Sequence, residues 1–325
     1  MIYKIIFLLG IIISSSFCSY GYIQNQLENK LLKEKINIQF IKDVFFYSKA
    51  SYCSFENLQT WRCGDDCLHN PHMQHIRVFE NKEKNSQGFC GYNPVQNQIV
   101  IAIRGTDNLN NWITNLKAFP VDFPSCVECQ IHMGFRDHAQ SVQEDINLCV
   151  KSILKQYINA KIVITGHSLG GAIATLVSIE VLKYLKTKDQ VSVYTFGAPK
   201  IGNQNFVDYL NQQIPNSYRI VNYYDAVPHL PFKQILDFKH HGYEIWMTNP
   251  DSLNQFKVCH SQQLEHQGCS SQVSLLNFSI KNHISYFGIY TGCTKDLYQK
   301  EFLEHQNEEL QKYLNKIYQQ LEKQV

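Results

Sequence analysis

The sequence predicts an α/β protein with a mostly parallel central sheet flanked by helices. Three observations lead there. Runs rich in β-branched and aromatic residues, at Gln98 to Arg104, Lys161 to Thr165, Val191 to Phe196 and Tyr218 to Tyr223, alternate with stretches of helical period. Ile162, Val163 and Ile164 are consecutive apolar residues, the pattern of a strand covered on both faces. The alternation of strand and helix is the order that yields parallel pairing through right-handed crossovers.

In chain order, apolar periodicity predicts a helix from about Asn37 to Ser51, then short strands around His75 to Glu80 and Gly88 to Tyr92. The clearer strand Gln98 to Arg104 follows. A helix from Asp137 to Tyr157 leads into Lys161 to Thr165, and a long helix then runs through Leu185. The strand Val191 to Phe196, a helix from Asn203 to Asn211 and the strand Tyr218 to Tyr223 complete the alternation. Beyond Cys293 the composition turns to Lys, Gln and Glu, with Leu310, Leu314, Ile317 and Leu321 at helical spacing. Barely two heptads are present, so this stripe is expected to pack on the domain surface rather than form a coiled coil.

The first residues read as an export signal. Lys4 supplies a positive start, Ile5 to Ile13 an apolar run, and Ser14, Ser15, Ser16, Ser19 and Gly21 small residues for cleavage after Ser19 or Gly21. The run is shorter than the roughly 20 residues that cross a bilayer, so a retained anchor is the weaker reading. The expected organisation is a signal at 1–21, one domain at 22–295 and a polar helical extension at 296–325, in a secreted or luminal protein without a membrane anchor.

With 30 basic and 28 acidic residues spread along the chain, the net charge of +2 offers nothing to nucleic acid. Of 11 cysteines, Cys18 falls in the signal, which leaves ten: Cys53, Cys63, Cys67, Cys90, Cys126, Cys129, Cys149, Cys259, Cys269 and Cys293. An even count behind an export signal points to disulfides in an oxidising compartment. Cys63, Cys67, His69 and His72 are also close enough in sequence for a zinc site, but disulfide pairing is the expectation for an exported chain. No metal is expected.

Gly166-His167-Ser168-Leu169-Gly170 fits the nucleophile elbow of the α/β-hydrolase fold, in which a strand turns sharply into a helix and presents a serine at the sheet's carboxyl edge. The five-residue pattern is common by accident; its context is not. Here it follows the strand Lys161 to Thr165 and opens a helix on small residues, Gly170, Gly171 and Ala172. A serine needs an imidazole to take its proton and a carboxylate to orient that imidazole, in the chain order Ser, acid, His. Among Asp189, Asp208, Asp225, Asp237 and Asp251, Asp225 stands out because it lies just past Tyr218 to Tyr223, at the sheet edge where the elbow is expected. For the base, His229 is too near Asp225 in sequence, and His167 belongs to the elbow, where it is expected to pack beneath the serine. His240, His241, His260, His266 and His283 remain open on position alone.

The segments Ile164 to Ala172 (ITGHSLGGA), Thr195 to Asn203 (TFGAPKIGN), Arg219 to Pro231 (RIVNYYDAVPHLP) and Asn282 to Gly288 (NHISYFG) together resemble the fungal-type class 3 lipases. So do Ile101 to Thr106 (IAIRGT), Asn111 to Leu116 (NWITNL) and His132 to Phe135 (HMGF), in order from about Phe45 to Cys293. The resemblance implies a catalytic triad of Ser168, Asp225 and His283. It implies an oxyanion hole from Thr106, to which elbow geometry adds the backbone N–H of Leu169. Tyr52 resembles the family's tyrosine behind that loop, although a core tyrosine fits the pattern equally.

Asp107 to Leu116 carries Leu109, Trp112, Ile113 and Leu116 on one helical stripe, with Phe119 beyond. Pattern alone favours an ordinary surface helix; its place directly after Thr106 makes it the expected lid, with Trp112 as anchor on a lipid surface. The resemblance further implies disulfides Cys126–Cys129 beyond the lid, Cys53–Cys293, Cys63–Cys67 and Cys259–Cys269, and leaves Cys90 with Cys149 by elimination. The expected activity is a carboxylester hydrolase, foremost a triacylglycerol lipase acting at an oil–water or membrane interface, without cofactor and as a monomer. The alternatives are a phospholipase A1, a feruloyl-esterase-like enzyme, and a non-catalytic binding protein on the same fold.

Overall fold

The computed structural model describes residues 33–106, 108–114, 119–232, 236–260, 268–294, 310–316 and 319–320. The expected signal at 1–21, and Leu116, His266, Ile317 and Leu321, lie outside the described residues. Among the described residues the α-helices are α1 (Ile38–Ala50), α2 (Phe55–Gln59), α3 (Asp65–Leu68), α4 (Leu109–Thr114), α5 (Met133–Leu154), α6 (Leu169–Val181), α7 (Gln204–Gln213) and α8 (Ile280–His283). The strands are β1 (Gln74–Asn81), β2 (Ser86–Asn93), β3 (Gln98–Ile103), β4 (Pro120–Asp122), β5 (Gln130–His132), β6 (Lys161–His167), β7 (Val191–Phe196), β8 (Ser217–Asn222), β9 (Tyr243–Met247), β10 (Phe256–His260), β11 (Ser285–Tyr286) and β12 (Ile289–Tyr290).

Eight of them form one sheet in the order β1-β2-β3-β6-β7-β8-β9-β10. β3, β6, β7, β8 and β9 pair in parallel, while β1, β2 and β10 join antiparallel at the edges. The run Ile162-Val163-Ile164 is apolar throughout because both faces of β6 are covered. Ile162 and Ile164 enter the cluster beneath α5 (Met133–Leu154) and α6 (Leu169–Val181), while Val163 enters the cluster beneath α1 (Ile38–Ala50).

The structure departs from the sequence reading in two places. Helix α5 begins at Met133, not Asp137, because the His132 ring caps it: Gly134 N donates to His132 Nδ1 at 3.1 Å. Strands β9 and β10 were not legible. β9 is apolar or aromatic apart from Glu244, which is buried by pairing with Arg219 of β8 at 3.2 Å, with both side chains within 3% of full burial.

Five disulfides are formed: Cys53–Cys293, Cys63–Cys67, Cys90–Cys149, Cys126–Cys129 and Cys259–Cys269. Cys63 and Cys67 therefore offer no thiolate to zinc, and His69 stacks on Phe46 at 3.4 Å instead.

Candidate active site

Ser168 sits between β6 and α6 with φ 56° and ψ −129°, a left-handed conformation that costs energy in any residue with a Cβ. The turn closes only because its neighbours are small. A Cβ on Gly166 would stand 2.8 Å from Gly171 N, and one on Gly170 would stand 2.7 Å from the carbonyl carbon of Arg104. Ser168 N donates to Phe196 O at 2.8 Å, which ties the elbow to the end of β7.

Asp225 leaves the carboxyl end of β8 through a tight turn in which its N–H donates to Asn222 O at 2.8 Å. An isolated parallel bridge joins Asp225 to Ser279, which caps α8 (Ile280–His283). That bridge brings His283 to the same edge. The Asn222 side-chain amide donates to Asn282 O at 3.0 Å and to Ser285 O at 2.5 Å, fixing the turn around the histidine.

His283 Nδ1 lies 2.9 Å from both oxygens of Asp225, and both side chains are fully buried. The same carboxylate accepts from Val227 N at 2.9 Å and from Tyr286 Oη at 2.6 Å. Burial, reinforced by the charge of Asp225, pushes the Tyr286 hydroxyl well above the usual phenol range, so it remains a donor. Because a carboxylate only accepts, Nδ1 carries the proton and Nε2 is left as the basic nitrogen.

Beneath them, His167 Nε2 donates to His283 O at 2.8 Å, and Tyr52 Oη donates to His167 Nδ1 at 2.8 Å. Burial, then the neighbouring His283, hold His167 well below the ordinary imidazole range, which suits this neutral bridging tautomer. Tyr52 thus props the backbone of His283 through His167.

Ser168 Oγ and His283 Nε2 are both buried, and neither has a hydrogen-bond partner among the described residues. An orphaned buried polar atom costs on the order of 1–3 kcal/mol. Two of them line one cavity of about 40 Å³ with Tyr52, Thr106, Leu109 and Tyr290. That volume has no room for a fatty ester. Its roof comes from α4 (Leu109–Thr114), whose Leu109 and Ile113 are buried with Val227 and Leu230 from the Asp225 side and Phe278 and Ile280 from the His283 side. Trp112 is half-buried and stacks on Phe135 at 6.2 Å rather than facing solvent. Thr106 lines the cavity with its hydroxyl accepting from Asn108 N at 3.1 Å. Leu169 opens α6 directly after Ser168 and is buried.

The remaining sequence candidates lie elsewhere. His240 Nε2 donates to Pro228 O at 2.6 Å, His241 Nδ1 is 3.0 Å from Ser217 Oγ, and His260 packs on Tyr243. His229 stacks on Phe278 at 4.2 Å. None of these lines the cavity of Ser168. Asp208 is held by Gln204 at 2.8 Å and Asp237 by Lys239 at 2.7 Å. Sequence reasoning missed Tyr286, whose signal is its spacing of three from His283, and Gly197, whose φ of 61° lets the chain pass Asp225 and His283. It also missed the cavity wall at Tyr290 to Gly292, pinned by Cys53–Cys293 and by Lys49, which donates to Gly292 O.

A strand-to-helix elbow bearing serine, on this sheet, defines a serine ester hydrolase of the α/β-hydrolase fold. The model of the class 3 lipases matches residues 100–235. A lipase from Rhizomucor miehei is 32% identical over 266 residues, covering 79% of this chain and 71% of its own length. The secreted mono- and diacylglycerol lipase 1 of Fusarium solani is 28% identical over 273 residues, covering 79% of each. The solved structure of Rhizomucor miehei triacylglyceride lipase superposes with a TM-score of 0.73 at 32% identity, over 79% of this chain and 97% of that one. The chain belongs to the class 3 lipase family.

Proposed function

We propose that the protein is a secreted triacylglycerol lipase in which Ser168 is the nucleophile, His283 the general base and Asp225 the carboxylate that orients it. The observation that carries the proposal is the pair of buried atoms Ser168 Oγ and His283 Nε2, unpartnered among the described residues, on one cavity, with His283 held from behind by Asp225. Once the roof moves, Ser168 Oγ attacks the ester carbonyl and His283 Nε2 takes its proton. The N–H of Leu169 and the Thr106 loop are assigned to the developing oxyanion. His283 then protonates the departing alcohol, and water activated by the same nitrogen releases the fatty acid.

The apolar roof supports a lipid ester at an interface, with α4 as lid, since an open lid exposes Leu109 and Ile113 at a cost that a lipid surface removes. Five disulfides and the name of the secreted Fusarium relative support export. Ser168→Ala should reduce ester hydrolysis by at least ~10⁴-fold with the fold intact, and an organophosphonate should label wild type at Ser168 alone. Near-normal turnover by the variant would end the assignment. Rates compared on triacylglycerol emulsion, phospholipid vesicles and soluble short-chain esters should be highest on the emulsion; a preference for vesicles makes the enzyme a phospholipase A1 instead.

A further inference from the structure

The helix at residues 310–316 returns to the catalytic face. Leu310 and Leu314, one turn apart, are 1% and 4% exposed and belong to the same apolar cluster as Leu109 and Ile113 of α4, Val227 and Leu230 after Asp225, and Ile280 before His283. Gln311, between them, makes a two-point contact with the chain leading to His283. Its Nε2 donates to Phe278 O at 2.8 Å, and its Oε1 accepts from Ile280 N at 3.2 Å. The backbone thus bridged flanks Ser279, whose N–H donates to Tyr224 O at 2.8 Å beside Asp225. Lys312, Asn315 and Lys316, on the other side of the helix, are exposed. The helix therefore shares a single apolar seam with the roof of the cavity and with the two loops that the roof closes against.

We infer that this C-terminal helix is a latch that holds the α4 lid shut over Ser168, and that a lipid surface releases it by taking up its apolar stripe. The inference rests on reading α4 as a lid. Leu109 and Ile113 cannot leave the seam without giving up the neighbours that Leu310 and Leu314 help to bury, so the latch adds to the free energy of lid opening. It adds nothing to chemistry once the lid is open. At a lipid surface Leu310, Leu314 and the half-buried Tyr313 would exchange one apolar environment for another while the exposed lysine face remains in water. A brace for His283 is the competing role of the same contacts, and it predicts the opposite change in rate.

The test uses the full chain carrying Leu310→Ser with Leu314→Ser, and separately Gln311→Ala, which leaves the apolar stripe in place. Rates are measured on a dissolved short-chain ester below its solubility limit and on a triacylglycerol emulsion. The latch predicts that the double variant hydrolyses the dissolved ester at least tenfold faster than wild type with the emulsion rate little changed, and that Gln311→Ala moves the same way by a smaller factor. Hydrogen exchange should likewise quicken at Leu109 to Thr114 in Gln311→Ala, a readout available even if the double variant does not fold. An unchanged or lower rate on dissolved ester, with unaltered exchange at the lid, overturns the latch. If wild type itself shows no rise in rate at the interface, the lid reading has failed; if wild type rises and the variants match it, only the latch has failed.

Discussion

Replacing Gly197 by Ala should damage the site through both backbone strain and crowding of the Asp225–His283 pair. Gly197 follows β7 with φ 61°, and a Cβ there would lie 2.6 Å from Asp225 Oδ2, 2.8 Å from Tyr286 Oη and 2.9 Å from His283 Cε1. The left-handed backbone alone costs an alanine about 1–2 kcal/mol. Forcing a methyl into a packed site adds about 1–3 kcal/mol. Together these give a loss of about 2–5 kcal/mol, or a fall in Tm of ~4–20 °C at ~2–4 °C per kcal/mol. The three atoms in the way are the ones that align the imidazole, so relief of the clash must move Asp225, Tyr286 or His283. A displacement of about 1 Å is enough to cost roughly 10²-fold in rate. Thermal unfolding and kcat/KM on a soluble ester would measure both effects. Near wild-type turnover with unchanged Tm would show that Gly197 does not confine the Asp225–His283 pair as described.

Further outcomes follow from other parts of the structure. Tyr286→Phe removes one of three donors to the Asp225 carboxylate and should cost about 1.5–3 kcal/mol of stability, with activity lowered far less than in Ser168→Ala; an unaltered Tm would mean the 2.6 Å contact contributes nothing. Asp66→Asn leaves Lys49 buried without its counter-charge and removes an acceptor from Thr294, so unfolding should become easier by about 3–5 kcal/mol, read by denaturant titration. Acid should destabilise the protein. Burial pushes His132 down to about 4, aided by His138, and His241 down to about 3, aided by Arg219. Both therefore bind fewer protons folded than unfolded, and their stabilising effect is complete above the unfolded value near 6.5 and lost as pH falls toward 4 and 3. At pH 5 the two together cost about 4 kcal/mol, and a stability flat between pH 7 and 5 would refute it. Trp112→Ser should blunt the rise in rate on passing from dissolved to emulsified ester while leaving hydrolysis of the dissolved ester nearly intact; equal loss on both substrates would make α4 a structural helix.

Sequence alone determined the parts of this protein that depend on neighbours along the chain. The alternation of strand and helix, the glycines that close the Ser168 turn and the apolar stripe of Leu109, Trp112 and Ile113 are local patterns, and local sterics and periodicity enforce them. Position at a strand end was enough to single out Asp225, since the fold brings strand ends to one edge. It was not enough for the histidine, and the choice of His283 came from a resemblance, because a base is defined by where its ring arrives. Only the tertiary structure joined residues 58 apart into the Asp225–His283 contact, set Tyr286 and Gly197 around it, and hid Glu244 in a strand by pairing it with Arg219. The C-terminal stripe marks the same boundary. Leu310 and Leu314 announced an apolar face in the sequence, but which surface received it was decided by burial against α4 and the His283 segment, a choice that no spacing along the chain encodes.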